Sequence, residues 1–313
     1  MKKTVLAFGE LLWDILPTDT ILGGAVCNFV YRVNSLGDRG LLVSRLGRDE
    51  LGKEAFDRVS SLGLDTRYLQ WDDHNPTGTV QVTFDQDNNP DFVIIPDVAY
   101  DYIEITDQLR EAASNANCLC FGTLSQRADK TRQTLRHLLE MTDNCLKLLD
   151  INLRKDCYSL ETVTYSLEKA DILKLNEDEL YEIAEMLDIT GSDALGLCED
   201  IIEKWSLKCC VVTLGEKGAF ALSRKGERVY VPGYKIELTD SVGAGDAFTA
   251  GFAYCVLRDQ PLAEACEFGN ILGALVSTTK GATAPISQDE IESFKGREIE
   301  RISDPNFDQM SSN

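Results

Sequence analysis

The chain has 313 residues, of which 43% are apolar, and its formal net charge is −21. This length and apolar fraction are typical of a soluble globular protein with a sizeable core. The acidic balance argues against nucleic acid and anionic membranes as partners, but it allows a local site for an anionic substrate. The sequence has no run of about 18 apolar residues, so no membrane-spanning helix is expected.

The chain contains 10 cysteines, many of them in apolar runs. Cys118 and Cys120 alternate along one predicted strand, and Cys209 and Cys210 begin another. Their spacing does not follow a disulfide framework of the secreted type. Buried free thiols in a cytoplasmic protein are therefore predicted.

Short apolar runs alternate with amphipathic stretches along most of the chain, which predicts an α/β fold with parallel strands. The predicted elements of the first part are strand 4–8, helix 24–36, strand 40–45 and helix 49–62. Those of the second part are strand 118–121, helix 128–141, strand 146–151, helix 161–168, strand 172–175, helix 176–187, helix 193–205, strand 209–214, hairpin 219–231, helix 247–257 and helix 262–278. The polar tail, residues 297–313, is expected to fray.

A β-hairpin at residues 77–95, with its turn at 86–90, interrupts this alternation. We expect one domain, 1–313, with a small β-sheet lid formed mainly by about 11–22 and 64–100. Such a lid would cover a cleft. The alternative is that the hairpin extends the edge of the main sheet.

The segment from Thr239 to Phe248 predicts a loop that becomes a helix. Gly243, Ala244 and Gly245 are small enough for consecutive backbone N–H groups to approach a ligand closely. A helix N-terminus attracts anions, so this junction is suited to bind a phosphate. Asp246 in the first turn could take a proton from an attacking hydroxyl. The structural alternative is a small-residue turn with an acidic residue that stabilises the helix.

Other polar residues follow predicted strands, where ligands bind in open α/β sheets. Asp150, Asn176 and Gly215 lie at such ends, and Asp14 lies a few residues past the first strand. Asn176 with Glu179 also forms the pattern of a helix capping box, and that role can coexist with a ligand role.

On these residues the chain resembles the ribokinase-like carbohydrate kinases, or PfkB family, from Gly9 to about Phe294. The segment 240–252 matches the C-terminal signature of the family, and Gly23-Gly24-Ala25 with Asn28 resembles its N-terminal signature. The latter departs where Val26 and Cys27 replace the usual Pro-Ala. The fructokinase branch is the most similar, through the segments 8–14 and 150–154.

The resemblance implies a ribokinase-like three-layer α/β/α sandwich with a mostly parallel central sheet and a small lid sheet. It also implies that Asp246 is the general base and that the backbone of Gly243, Ala244 and Gly245 is the anion hole for the transferred phosphoryl group. The implied sugar contacts are Asp14, Gly24, Asn28 and Arg154.

The same resemblance implies ATP and Mg²⁺ as cofactors. Asn176 and Glu179 would order Mg²⁺, with Glu179 acting through water. The implied nucleotide contacts are Thr213, Gly215, Gly218 and Asn270. A K⁺ site, usual in relatives, would use Asp240, the Val242 carbonyl and residues near Gly281 and Ser287. Lid sheets of relatives often pair across dimers, so a homodimer is a further expectation.

The sequence therefore predicts an ATP-dependent sugar kinase that phosphorylates a primary hydroxyl, with fructose to fructose 6-phosphate as the first candidate reaction. A 2-keto-3-deoxygluconate kinase, or another sugar or sugar-acid kinase, is the alternative, because Arg154 could pair with a carboxylate. A non-catalytic sugar- or nucleotide-binding protein is the alternative from another class.

Overall fold

The computed structural model describes residues 1–15, 19–84, 90–142 and 144–312. The predicted turn at 86–90 lies, apart from Pro90, outside the described residues, as does part of the predicted segment 11–22. The strands are, in chain order, β1 (Thr4–Phe8), β2 (Leu12–Ile15), β3 (Thr20–Gly23), β4 (Arg39–Gly47), β5 (Leu69–Asp72), β6 (Gly78–Phe84), β7 (Pro90–Ile94), β8 (Cys118–Phe121), β9 (Leu146–Asp150), β10 (Ile172–Asn176), β11 (Cys209–Thr213), β12 (Ala219–Ser223), β13 (Arg228–Val231), β14 (Gly233–Tyr234) and β15 (Arg301–Ile302).

The helices are α1 (Ala25–Ser35), α2 (Glu50–Ser61), α3 (Asp107–Ser114), α4 (Asp129–Met141), α5 (Leu160–Lys169), α6 (Glu177–Met186), α7 (Ala194–Trp205), α8 (Ala244–Val256), α9 (Leu262–Ser277) and α10 (Gln288–Lys295). The helices that the sequence predicted are present, with α8 beginning three residues earlier than predicted, and α3 and α10 are additional. Polar side chains fix several starts: Asp49 accepts from the Gly52 N–H, and Asp193 accepts from the Gly196 N–H. Each satisfies one of the N–H groups that a first turn leaves unpaired.

Within the described residues, a nine-stranded sheet has the order β13-β12-β11-β10-β9-β8-β1-β4-β5. The seven strands from β11 to β5 pair in parallel, and β12 and β13 add antiparallel strands at one edge. The carboxyl ends of the parallel strands therefore share one rim. The mostly parallel sheet that the alternation predicted is confirmed.

The side chains of the central strands alternate between two hydrophobic clusters. Leu6 and Phe8 of β1 belong to one cluster, with residues of α3 to α7, whereas Val5 and Ala7 belong to the other, with residues of α1, α2, α8 and α9. Successive side chains of a strand point to opposite faces, so helices cover both faces of the sheet. The three-layer α/β/α arrangement is confirmed.

A second sheet of the described residues has the order β3-β2-β6-β7, so the hairpin at 77–95 builds a separate small sheet rather than an edge of the main one. The expectation that residues from 64 onward belong to this lid is wrong for 64–72. The strand β5 in that range pairs in parallel with β4 of the large sheet, with Leu69 opposite Ser44. Leu69 is 6% exposed, and its burial under the main core outweighs its proximity to the hairpin in sequence.

The polar tail does not fray over its described residues, contrary to the prediction. The strand β15 pairs with β14, the ring of Phe307 stacks on Phe220 with centroids 4.6 Å apart, and Asp304 forms an ion pair with Lys217. Phe307 is 4% exposed. One buried aromatic side chain can hold a polar segment against the core, and the overall polarity of the tail conceals it.

All ten cysteines are buried and unpaired, as predicted. Among the residues that the structure describes, no helix has both the length and the apolar character needed to cross a membrane.

Candidate active site

The helix α8 begins at Ala244, three residues earlier than predicted, so the whole small-residue run forms its first turn. Gly243 is the N-cap with φ of 80°, and a Cβ atom there would lie 2.2 Å from the Cβ of Ala282. Only glycine fits this position, because both the backbone angle and the space exclude a side chain. The Ala244 N–H donates to the Ser241 carbonyl at 3.2 Å. The N–H groups of Gly245 and Asp246 have no partner within the helix and face the cleft end of α8.

Asp246 lies where α8 meets α1. Its Oδ2 accepts a hydrogen bond from Asn28 Nδ2 at 2.9 Å, although 218 positions separate the two residues in sequence. Burial raises the pKa of Asp246 to about 7, and the nearby negative charge of Asp150 adds to the rise, while Asn28 and Lys174 oppose it. A carboxylate with a pKa near neutrality is suited to exchange a proton at physiological pH.

Lys174, which the sequence analysis did not select, is a buried cation beside this carboxylate. Its Nζ lies 3.0 Å from Asp150 Oδ1, and Thr249 Oγ1 donates to Asp150 Oδ2 at 2.8 Å. A Cβ atom at Gly245 would lie 3.5 Å from the same Nζ. The ammonium therefore lies next to the first turn of α8. The signal was in the sequence, because Lys174 interrupts an otherwise apolar buried strand.

One cavity opens at the rim of the large sheet, beside the start of α1. It is lined by the start of α1 and by the carboxyl ends of β8 and β9, and its polar lining residues include Glu10, Thr123, Asp150, Asn152 and Arg154. Three of these carry charge, and the cavity has a volume of about 20 Å³, so its walls must move apart before a sugar can enter.

Glu10 is the second residue that the sequence analysis did not assign. It is 8% exposed, and its Oε1 accepts from the Ala25 N–H at the start of α1 at 3.2 Å. Burial raises the pKa of Glu10, while the charge of Arg154 and backbone hydrogen bonds oppose the rise. An acid directly after an apolar strand, ahead of two glycines, was the available signal.

The predicted sugar contacts lie around this cavity to different degrees. Asn28 reaches Asp246, and Arg154 lines the cavity and donates to its neighbouring Leu153 carbonyl. Asp14 is on β2 of the small sheet, and its pKa is raised by burial and lowered by Arg154. Gly24 has φ of 121°, and a Cβ atom there would lie 2.5 Å from the Glu10 carbonyl oxygen. Gly24 therefore has a structural role in starting α1.

A second cavity, of about 380 Å³, is lined in part by the first turn of α8. All of the predicted nucleotide contacts line it, together with Asn176: Thr213, Gly215, Gly218 and Asn270. Tyr234, Ile236 and Leu238 supply an apolar wall, and Ile302 of the tail completes it. Asn270 Nδ2 donates to the Val231 carbonyl at 3.0 Å, which ties α9 to β13.

Asn176 and Glu179 form the capping box of α6. The Glu179 N–H donates to Asn176 Oδ1 at 2.8 Å, and the Asn176 N–H donates to Glu179 Oε2 at 2.9 Å. The Leu153 N–H donates to Glu179 Oε1 at 3.0 Å. Burial raises the pKa of Glu179, and the charge of Lys174 opposes the rise. Each carboxylate oxygen can accept a further bond, so a water-mediated contact to a cation remains sterically and chemically open.

Several of the residues predicted for K⁺ form hydrogen bonds in this structure. The Val242 N–H donates to Asp240 Oδ1 at 3.0 Å, and the Gly281 N–H donates to Asp240 Oδ2 at 2.9 Å. Ser287 is the N-cap of α10, and its hydroxyl exchanges hydrogen bonds with Glu290. Asp240 and Gly281 are therefore brought together, whereas Ser287 serves a helix start.

Comparisons with known proteins agree with this geometry. A model described as "pfkB family carbohydrate kinase" matches residues 18–289. Fructokinase-1 of Oryza sativa subsp. japonica is 30% identical over 324 residues, which cover 94% of this chain and 97% of that protein. The structure of fructokinase with bound ATP from Xylella fastidiosa aligns with a TM-score of 0.81 at 23% identity, covering 94% of this chain and 98% of that one. A fructokinase double mutant from Vibrio cholerae O395, in a form with fructose, ADP and potassium ion, aligns with a TM-score of 0.79 at 24% identity, covering 93% and 98%.

Proposed function

The chain belongs to the pfkB family of carbohydrate kinases, and we propose that it transfers the γ-phosphate of ATP to a primary hydroxyl of a neutral sugar, with fructose as the first candidate. The single observation that carries this proposal is the position of Asp246. Its buried carboxylate lies in the first turn of α8, accepts a hydrogen bond from Asn28, and has the charges of Asp150 and Lys174 nearby.

The proposed reaction needs one base and a positive environment for the phosphoryl group. Asp246 takes the proton of the sugar hydroxyl, whose oxygen forms a bond to the γ-phosphorus as the bond to the ADP oxygen breaks. The N–H groups of Gly245 and Asp246 and the ammonium of Lys174 offset the charge on the phosphoryl oxygens. Phosphoryl transfer depends mainly on such positioning and charge stabilisation.

ATP is proposed for the 380 Å³ cavity, where glycines allow close approach and Tyr234, Ile236 and Leu238 offer an apolar wall for a base. Magnesium, when bound with the nucleotide, neutralises phosphate charge. Glu179 fits a role in holding it through water, because each of its oxygens accepts one backbone N–H and can accept a further bond. This chain would supply Asn176 and Glu179 to that second layer of contacts.

The charge of the acceptor cavity favours a neutral sugar over a sugar acid. Glu10 and Asp150 line it, Asp14 lies near Arg154, and Lys174 already pairs with Asp150. Arg154 is the one lining cation among the described residues, and its charge also lowers the pKa of Glu10 and of Asp14. A substrate carboxylate would compete with these acids for Arg154. The hydroxyls of fructose would instead donate to them.

The small sheet is proposed as a lid, since β2 continues from Glu10 and carries Asp14. Its Ile21 and Val93 are 38% and 40% exposed, which is compatible with the expected homodimer through this sheet. The elution volume of the purified protein distinguishes a monomer from a dimer.

An ADP-release assay over ketoses, aldoses, sugar acids and nucleosides tests the proposed activity. We expect the highest kcat/KM with fructose and the product fructose 6-phosphate, identified by its phosphorus NMR spectrum. A higher kcat/KM with 2-keto-3-deoxygluconate would replace fructose by the sugar acid. Binding of sugar or ATP without turnover of any acceptor would identify a non-catalytic binding protein.

A further inference from the structure

Arg32 is a buried cation for which neither the core nor the reaction accounts. It lies on α1 one turn after Asn28 and is 1% exposed. Its Nη2 donates to the carbonyls of Ala282 and Ala284, at 3.1 Å each. Its Nε and Nη1 are buried without a hydrogen-bond partner, and within the described part of the chain no carboxylate forms an ion pair with it. The guanidinium carbon also lies 5.2 Å from the centroid of the Tyr31 ring, so its described contacts are two backbone carbonyls and one aromatic ring.

Such an arrangement is costly for the fold. A buried charge is normally paired, because transfer of an isolated ion out of water is strongly unfavourable. A guanidinium also cannot escape the cost by losing its proton. An alanine at position 32 of α1 would avoid the penalty altogether. The hydrogen bonds that the guanidinium does form both end on one loop, so their effect is to hold that loop against α1.

That loop, residues 281–284, supports the start of α8. Ala282 packs against Gly243, where a Cβ atom would lie 2.8 Å from the Ala282 Cα. The Gly281 N–H donates to Asp240, which also accepts from Val242. The loop thus contacts the segment 240–243 at both ends. A shift of the loop would shift Gly243, and with it the N–H groups of the first turn.

The loop near Gly281, which is part of the expected K⁺ site, already faces a cation. Both oxygens of Asp240 accept backbone N–H groups, and the hydroxyl of Ser287 is bound to Glu290. The carbonyls of Ala282 and Ala284, which would be the natural ligands in the loop, face the guanidinium. A monovalent cation on the same carbonyls would be repelled by Arg32.

We propose that Arg32 is a built-in cation for the 281–284 loop, a positioning residue that holds the anion hole and makes this chain independent of monovalent cations. The proposal rests on the proposed kinase activity. Arg32 touches neither the reacting hydroxyl nor the phosphoryl group, and it acts through Ala282 on Gly243. A bound cation would do the same for the loop, and this chain supplies the charge from α1.

The test compares K⁺ with tetramethylammonium, which is too large for a carbonyl cage, at equal ionic strength. The wild-type kcat is expected to agree within about twofold between the two salts. Arg32→Ala should lose about 10²-fold in kcat in tetramethylammonium, the size of effect that a small misplacement of catalytic groups produces. K⁺ or ethylguanidinium should restore at least roughly tenfold of that loss, because the cavity then accepts a cation. Arg58→Ala, which removes an exposed arginine from α2, is the matched control and should behave as wild type.

Melting temperature gives a readout apart from activity. A ligand that binds only the folded state raises it, so K⁺ should raise the melting temperature of Arg32→Ala and leave that of the wild type unchanged. Arg32→Met, which keeps the length of the side chain, replaces the alanine variant if that variant does not fold.

A loss of more than about tenfold in wild-type kcat on removal of K⁺ would overturn the proposal. Full activity of Arg32→Ala in both salts would overturn it equally. Absence of turnover by the wild type with every acceptor would instead overturn the proposed function, and the melting arm would still decide the role of Arg32.

Discussion

The acceptor cavity and the nucleotide cavity differ in the chemistry of their walls. Charged side chains line the acceptor cavity, among them Glu10, Asp150 and Arg154. Glycines and apolar side chains dominate the nucleotide cavity. A substitution in a wall of charged side chains removes one functional group. A substitution at a glycine in a wall of backbone affects binding only when the added Cβ atom displaces the backbone. The two cavities should therefore respond differently to substitution.

Asp246→Asn should have the largest effect, because it removes the proposed general base. A general base contributes about 10² to 10⁴ in rate, so kcat should fall by at least about 10²-fold. The KM for ATP should stay within about twofold, since the substitution keeps the backbone N–H groups and an acceptor for Asn28. Steady-state kinetics with the best acceptor measures both quantities. An unchanged kcat would contradict the role of Asp246.

The control is to measure kcat and melting temperature of the wild type and of Asp246→Asn as a function of pH. Asp246 acts as a base only when deprotonated, and its pKa is raised to about 7, so wild-type kcat should increase with pH up to about 7 and then level off. The folded state holds this proton at a pH where the unfolded chain has lost it, so the contribution of Asp246 to stability decreases from about pH 4 to pH 7. Asp246→Asn should therefore melt at a higher temperature than the wild type above pH 7 and at a similar one near pH 4.

Much of this site follows from local sequence patterns, and the rest depends on contacts across the fold. The helix starts near Asp246 and Asn176 can be predicted from the local sequence, because helix starts favour such residues. The bond between Asn28 and Asp246 joins residues 218 positions apart, and only the packing of α1 on α8 reveals it. The ion pair of Lys174 with Asp150 could not be predicted either, because a lysine in an apolar strand does not indicate which residue it pairs with.

The predictions for the β5 segment and for the tail were wrong for a related reason. Residues 64–72 are predicted to join the lid because they precede the hairpin, but the pairing partner of a short strand such as 69–72 is set by tertiary packing. The single buried ring of Phe307 decides the position of the tail, and composition averages it away. Arg32 likewise looks like an ordinary helix residue until its carbonyl partners are known.

Lys174→Met should have the second largest effect. It removes the ammonium beside Gly245 and leaves Asp150 buried without its ion pair, so kcat should fall by about 10²-fold, as for the loss of one electrostatic donor. Breaking a buried pair also costs about 3–5 kcal/mol of stability.

The double variant Lys174→Met with Asp150→Asn separates these two effects. The asparagine carries no charge and still accepts from Thr249, so the double variant should recover much of the melting temperature while kcat remains low. Recovery of both kcat and melting temperature would show that Lys174 only neutralises the buried charge of Asp150 and has no role of its own in the reaction.

The smallest effect is expected in the nucleotide cavity, where two neighbouring glycines form a matched pair. A Cβ atom at Gly218 would lie 2.1 Å from the Val231 carbonyl oxygen, whereas nothing lies within 4 Å of one at Gly215. Both have positive φ, of 90° and 59°, and the second value lies in the left-handed region that other residues can adopt at modest cost. Gly218→Ala must move the loop, so its KM for ATP should rise about tenfold, which corresponds to about 1.4 kcal/mol.

The control is Gly215→Ala, whose KM for ATP should stay within about threefold of the wild-type value. Both variants should keep the KM for the sugar, because the acceptor cavity does not contact this loop. Equal effects of the two substitutions would mean that the loop does not approach the nucleotide through its backbone, and the contrast between the two cavities would then fail on the nucleotide side.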